Sequence, residues 1–170
     1  QLSQMDGFIH VVRCFDNPSV PHPFGGVNPQ RDLEALDSEF LLNDLILVER
    51  KQERLQEELR KGGGRKKEEI QREIALSEKL HAVLSEERPL RILELSAEEQ
   101  RILSGFGFLT RKPVLVVLNL GEGQAAPQIG YDWPRSALVP LQGQLEMELA
   151  QLSPDEAAMF MEEYGVEELS

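Results

Sequence analysis

Apolar positions along the chain fall into three short runs and two long periodic series. Asp6 to Phe15 reads DGFIHVVRCF, nearly continuous and rich in β-branched residues. That is the pattern of a strand buried on both faces of a parallel sheet. Pro113 to Leu120, PVLVVLNL, has the same character, and Ala137 to Leu141 is a shorter third strand. Between the first two runs, Leu41, Leu45, Val48, Gln52, Leu55 and Leu59 alternate spacings of four and three. This is a coiled-coil seam with one polar position. Gly62-Gly63-Gly64 stops that helix, because glycine pays the largest backbone entropy. Ile70, Ile74, Ser77, His81 and Leu84 then resume the spacing. The pattern predicts an antiparallel hairpin of two helices of similar length.

Punctuation residues set the boundaries. Asn17 to Pro29 holds Pro18, Pro21, Pro23, Gly25 and Gly26 and reads as a loop, with Pro29 suited to a first helical turn. Pro89 closes the second helix of the hairpin. Ser96-Ala-Glu-Glu is a capping-box start for a short helix through Ile102. Gly143 to Leu152 is amphipathic through Leu145, Leu149 and Leu152. Ser153 and Pro154 are placed to cap and begin a last helix.

The order strand, helical hairpin, strand, strand, helices fits the second half of an α/β sheet carrying an insertion. Residues 29–88 form the inserted hairpin; residues 1–28 and 89–170 form the α/β part. A domain rarely opens on its central strand, so earlier strands of this sheet are expected outside the 170 residues.

Charge sharpens this division. The net charge is −12, which argues against nonspecific nucleic-acid binding by the chain as a whole. Acidic and basic residues nearly balance between Glu49 and Arg88, so the hairpin is electrostatically a separate unit. Around its turn, Arg60, Lys61, Arg65, Lys66 and Lys67 form a cationic tip. Two readings stand: a contact for RNA phosphates, or a solvated turn. No aromatic residue is interleaved, so base stacking is not indicated. No apolar run approaches the roughly twenty residues of a membrane span. The single cysteine, Cys14, excludes an internal disulfide, and a cytoplasmic monomer is expected. His10, His22 and His81 share no metal-ligand spacing with one another or with Cys14.

The strongest candidate for chemistry is Asn119-Leu120-Gly121-Glu122. Ligands of open α/β sheets bind at the carboxyl ends of strands, where this segment falls. An Asn amide can donate to and accept from a base edge; an ionised carboxylate only accepts. The same residues also suit a plain turn after a strand.

Several separated segments, in order, resemble the YchF/Obg-like ATPase family. PVLVVLNLGE is similar to that family's KPVLYVANVxE. VVRCF at Val11 to Phe15 and NPQRDLEALDSEFLLNDL at Asn28 to Leu45 resemble its VRCF…DPxRDIExINTELxLADL. LELSAEEQRILSGFGFLTRKP matches in pattern and position. The resemblance runs from about Met5 to about Gly165. It implies a partial Ras-like P-loop NTPase sheet with an inserted antiparallel α-helical coiled-coil hairpin, followed in the family by a TGS domain. It also implies binding of ATP or GTP with Mg²⁺, nucleotide hydrolysis and association with ribosomes. Carried over by position, Asn119, Leu120 and Glu122 read the base, through N-x-x-E. Phe15 matches an aromatic position beside the base, though core packing at a strand end accounts for it equally. Gln142 and Gly143 occupy the later base-contacting loop, where only backbone groups can make the contact. No G-x-x-x-x-G-K-[ST] occurs, so the phosphate loop, the switch segments and the Mg²⁺ ligands are expected elsewhere in a longer protein. The loop Asn17 to Gly26 is proline-rich where the family's is acidic. A rival class is a non-enzymatic coiled-coil module that binds RNA or a protein partner.

Overall fold

The structure, a computed structural model, describes residues 2–62, 64–153, 156 and 159. Its strands are β1 (Phe8–Arg13), β2 (Val114–Asn119) and β3 (Ser136–Leu141). Its helices are α1 (Pro29–Lys61), α2 (Lys67–Ser85), α3 (Ala97–Leu103) and α4 (Gly143–Leu149), with 3₁₀ turns at Leu2–Gln4 and Leu90–Ile92. The sheet order is β1-β2-β3. The Phe8 N–H bonds the Pro113 carbonyl and the Cys14 N–H that of Asn119; Val114 bonds Arg135 and Leu120 bonds Leu141 in the same way. The offset is constant along each pair, so all three strands are parallel. The chain divides into two compact units: residues 1–8, 34–114 and 132–136 form one, and 9–33, 115–131 and 137–170 the other.

In the first unit, α1 and α2 pack as the hairpin. Lys51 lies 2.5 Å from Glu73 and Glu49 lies 3.7 Å from His81. Partner numbers rise on one helix as they fall on the other, which makes the pair antiparallel. The arms differ in length, 33 residues against 19, where similar lengths were expected. The buried stripe of α2 is also wider than a two-helix seam. Besides Ile70, Ser77 and Leu84 it buries Leu76 and Leu80. Those two join Val48, Leu84, Leu90, Leu103 and Phe108 in one apolar cluster. An amphipathic helix that meets more than one neighbour needs this broader face. Burial works to raise the Glu73 pKa, but bonds and charge from Lys51 and Arg65 outweigh it and hold the carboxyl below its usual range.

The capping box at Ser96 forms in full. Ser96 Oγ accepts the Glu99 N–H at 3.2 Å, and Glu99 Oε2 accepts the Ser96 N–H at 2.7 Å. Asp44 of α1 is fully buried. Its carboxylate accepts the Leu109 N–H (2.9 Å), the Thr110 N–H (2.8 Å) and the Thr110 hydroxyl (2.7 Å). The same hydroxyl accepts the Leu90 N–H at 3.1 Å. One side chain thus ties α1 to the segment leading into β2, and through Thr110 to the 3₁₀ turn after α2.

The second unit holds most of the sheet. Val12, Cys14, Val116, Leu118 and Leu120 are buried on one face. The other face departs from the expectation for β1. Ile9 is 70% exposed and Val11 59%. β1 lies at the edge of the sheet, and on this side only Arg13, which donates to the Val20 carbonyl at 2.8 Å, is half-buried. A β-branched run therefore marks a strand but not how many of its faces are covered. Ser153 donates from its N–H and its hydroxyl to Glu156; Glu156 and Met159 are helical, and the other positions of the last expected helix, Pro154 included, lie outside the described residues.

Candidate functional site

The end of β2 is built by local chain chemistry. Asn119 closes the strand, and the chain then turns through Gly121 to Gln124. The Gln124 N–H bonds the Gly121 carbonyl at 3.1 Å. Gly123 sits at φ +65°, in the left-handed region that suits glycine at such a turn. Leu120 remains in the ladder, donating to Leu141 at 2.8 Å, and its side chain is buried.

Asn119 meets the start of α4. The Gly143 N–H donates to Asn119 Oδ1 at 3.3 Å, and a Cβ on Gly143 would lie 2.9 Å from that oxygen. The donor here is a backbone amide, so the side-chain atom facing it is the oxygen. The Asn119 NH₂ group is left to donate to something else. Gln142 precedes α4 and caps it with its carbonyl, which accepts the Glu146 N–H at 3.0 Å. Two of the sequence candidates, Asn119 and Gly143, are therefore in direct contact.

Phe15 lies just past β1. Its Cβ would be 3.2 Å from a Cβ placed on Gly121, and the Arg13 guanidinium is 6.0 Å from its ring centroid. The ring packs at the turn that separates Asn119 from Glu122. Glu122 is exposed and has no hydrogen-bond or ion-pair partner among the described residues. Cys14 is buried, and burial pushes its thiol pKa up, which suits packing and not nucleophilic attack.

Two features were not legible in the sequence. Gln124 bonds both the Gly121 N–H, through Oε1 at 2.9 Å, and the Cys14 carbonyl, through Nε2 at 2.7 Å. The proline-rich loop after β1 is ordered by a charged cluster. Asp32 stands 2.9 Å from His22 Nε2 and 2.7 Å from the Arg31 guanidinium. His22 Nδ1 accepts the Phe24 N–H at 3.2 Å. Arg31 donates to the Gly26 carbonyl at 2.7 Å and lies 5.3 Å from the Phe24 ring centroid. Ten positions separate His22 from Asp32, and no motif links them.

At the hairpin tip, Lys61 pairs with Glu57 at 2.6 Å, and Arg65 bonds both Glu58 and Glu73. Arg60, Lys66 and Lys67 are exposed, with no ion pair among the described residues. No group of three or more His, Cys, Asp or Glu among the described residues can hold a metal ion. No described helix is long and apolar enough to cross a membrane.

The fold defines the class: an open parallel α/β sheet whose β1–β2 crossover carries a helical hairpin. No model of a protein family matches the chain. Individual proteins do. The chain is 36% identical over 174 residues to the "Ribosome-binding ATPase YchF" of Escherichia coli O157:H7, covering 98% of this chain and 47% of that protein. It is 32% identical over 174 residues to the protein of the same description from Pasteurella multocida, with the same coverage. The solved structure of the Schizosaccharomyces pombe YchF GTPase matches with a TM-score of 0.79 and 27% identity, over 96% of this chain and 47% of that one. The chain belongs to the YchF/Obg-like ATPase family. It spans about half the length of the curated relatives it matches.

Proposed function

We propose that these residues supply the base-recognition end of the nucleotide site, and the helical hairpin, of a ribosome-binding ATPase of the YchF type. The observation that carries this reading is the contact between Asn119 and Gly143. It engages the amide oxygen and leaves the NH₂ group, at the carboxyl end of β2, as the donor available to a ligand. Such a donor suits the N7 acceptor that either purine presents. Glu122 accepts hydrogen bonds only, and its carboxylate reaches one methylene further than an aspartate would. It suits the amino group of adenine better than the ring N–H groups of guanine, so ATP is the favoured nucleotide and GTP the weaker one.

Hydrolysis belongs to the whole protein. Phosphoryl transfer needs a phosphate cradle, Mg²⁺ and a positioned water, and the cradle motif is not in this sequence. Mg²⁺ would neutralise charge on the phosphates; the residues described here orient the base. The relatives' description as ribosome-binding supports a ribosomal partner for the hairpin tip.

The test is calorimetry on the complete protein with ATP and GTP in Mg²⁺, beside a Glu122→Asp variant. ATP is expected to bind more tightly, and the variant to shift the ratio toward GTP by about tenfold, the worth of one misplaced charged hydrogen bond. An ATP-to-GTP ratio identical in the two proteins would remove Glu122 from base selection.

A further inference from the structure

We propose that Gln124 is a positioning residue for base selection: its side-chain amide clamps the Gly121–Gln124 turn to the end of β1 and so fixes the spacing of Asn119 and Glu122. This rests on the base-recognition reading above.

Gly121 lies between the two base readers, and Gln124 takes both of its backbone polar groups. The Gly121 N–H donates to Gln124 Oε1 at 2.9 Å, and the Gly121 carbonyl accepts the Gln124 N–H at 3.1 Å. The remaining end of the side chain, Nε2, donates to the Cys14 carbonyl at 2.7 Å. Cys14 is already held in the ladder, its N–H bonded to the Asn119 carbonyl at 2.9 Å. The amide therefore closes a ring that runs from β1 to β2, into the turn and back.

Space is tight on the same side. A Cβ on Gly121 would stand 3.2 Å from the Phe15 Cβ and 3.3 Å from Gln124 Oε1. The turn cannot rotate without breaking these bonds or displacing Phe15. The side chains of Asn119 and Glu122 make no hydrogen bond to Gln124 among the described residues. Gln124 acts through the backbone between them, and its contribution is preorganisation: the two groups arrive at the base already spaced, with less loop entropy to lose on binding.

Chemistry singles out glutamine. Glutamate keeps the acceptor for Gly121 but sets a carboxylate against the Cys14 carbonyl. Asparagine is one methylene short of spanning both partners. Alanine releases both groups to water.

The experiment measures binding of ATP, GTP and inorganic tripolyphosphate by the complete protein in Mg²⁺, with thermal midpoints, for Gln124→Ala, Gln124→Glu and Asn119→Ala. Tripolyphosphate has no base and reports the phosphate end alone. Gln124→Ala is expected to weaken ATP about tenfold, to bring the ATP-to-GTP ratio toward one and to leave tripolyphosphate unchanged. Gln124→Glu is expected to fall between it and the parent. Equal weakening of all three ligands by Gln124→Ala and Gln124→Glu would make Gln124 merely structural and overturn the inference. So would unchanged ATP binding in both, if Asn119→Ala still weakens ATP; the base-recognition reading would then survive without the clamp. ATP binding untouched by Asn119→Ala would remove that reading, and this inference with it.

Discussion

Asp44→Ala is expected to lower the unfolding free energy by about 3–5 kcal/mol, measured by urea denaturation of the 170-residue chain. The carboxylate is fully buried and satisfies two backbone N–H groups and a hydroxyl. Removing it strands the Leu109 and Thr110 N–H groups away from water, at about 1–3 kcal/mol for each unsatisfied group. A loss of that size is a large share of the roughly 5–15 kcal/mol that holds a domain folded. Asp44→Asn should cost less, about 2 kcal/mol, because its carbonyl oxygen, in the place of Oδ2, still accepts both Thr110 donors while its NH₂ opposes the Leu109 N–H. Thr110→Val should cost about as much as Asp44→Asn, since the Leu90 N–H loses its acceptor too. A loss under about 1 kcal/mol for Asp44→Ala would mean that water reaches these amides.

The pH dependence of this group has a definite sign. Burial raises the Asp44 pKa, and the bonds from Thr110, Leu109 and Asn43 only partly oppose it. The folded state then binds the proton more tightly than the unfolded one. The contribution of Asp44 is greatest below the ordinary aspartate range and declines as pH rises through the folded pKa. Asp44→Asn should flatten that part of the stability profile.

Asp44 also marks where the sequence stops being readable. β2, the seam residues Val48 and Leu55 and the Ser96 capping box were legible because each is specified within a few neighbouring positions. The partners of Asp44 lie 65 and 66 positions away, and nothing local distinguishes it from the other acids of α1. The same holds for Gln124, whose carbonyl partner Cys14 is 110 positions distant. Leu76 and Leu80 escaped the heptad pattern because it assumes one partner helix, and the cluster has several. Asn119 and Glu122 were legible as a spaced pair at a strand end. That Gly143 engages the oxygen of Asn119 needed the fold. The five tip cations were equally visible, but not the carboxylates that neutralise two of them.

That neutralisation makes the hairpin tip the place for the second large effect. Lys61 and Arg65 are paired with Glu57, Glu58 and Glu73, while Arg60, Lys66 and Lys67 are not paired among the described residues. A paired cation must give up its carboxylate to meet a phosphate; an unpaired one gives up only water and counterions. Under the proposal that the tip contacts ribosomal RNA, each phosphate contact contributes about 0.7–0.9 to the slope of log affinity against log salt. Changing Arg60, Lys66 and Lys67 together to Gln should therefore lower that slope by about 2–3. At moderate salt it should weaken binding by roughly tenfold or more. Changing Lys61 and Arg65 together should move the slope by less than about 1, and should cost the hairpin stability through the partners they leave behind, Glu73 above all. Sedimentation with purified ribosomes across a salt series, with the complete protein, separates the two sets. Equal slopes for all three proteins would leave the tip a solvated turn and move the ribosome contact to another surface.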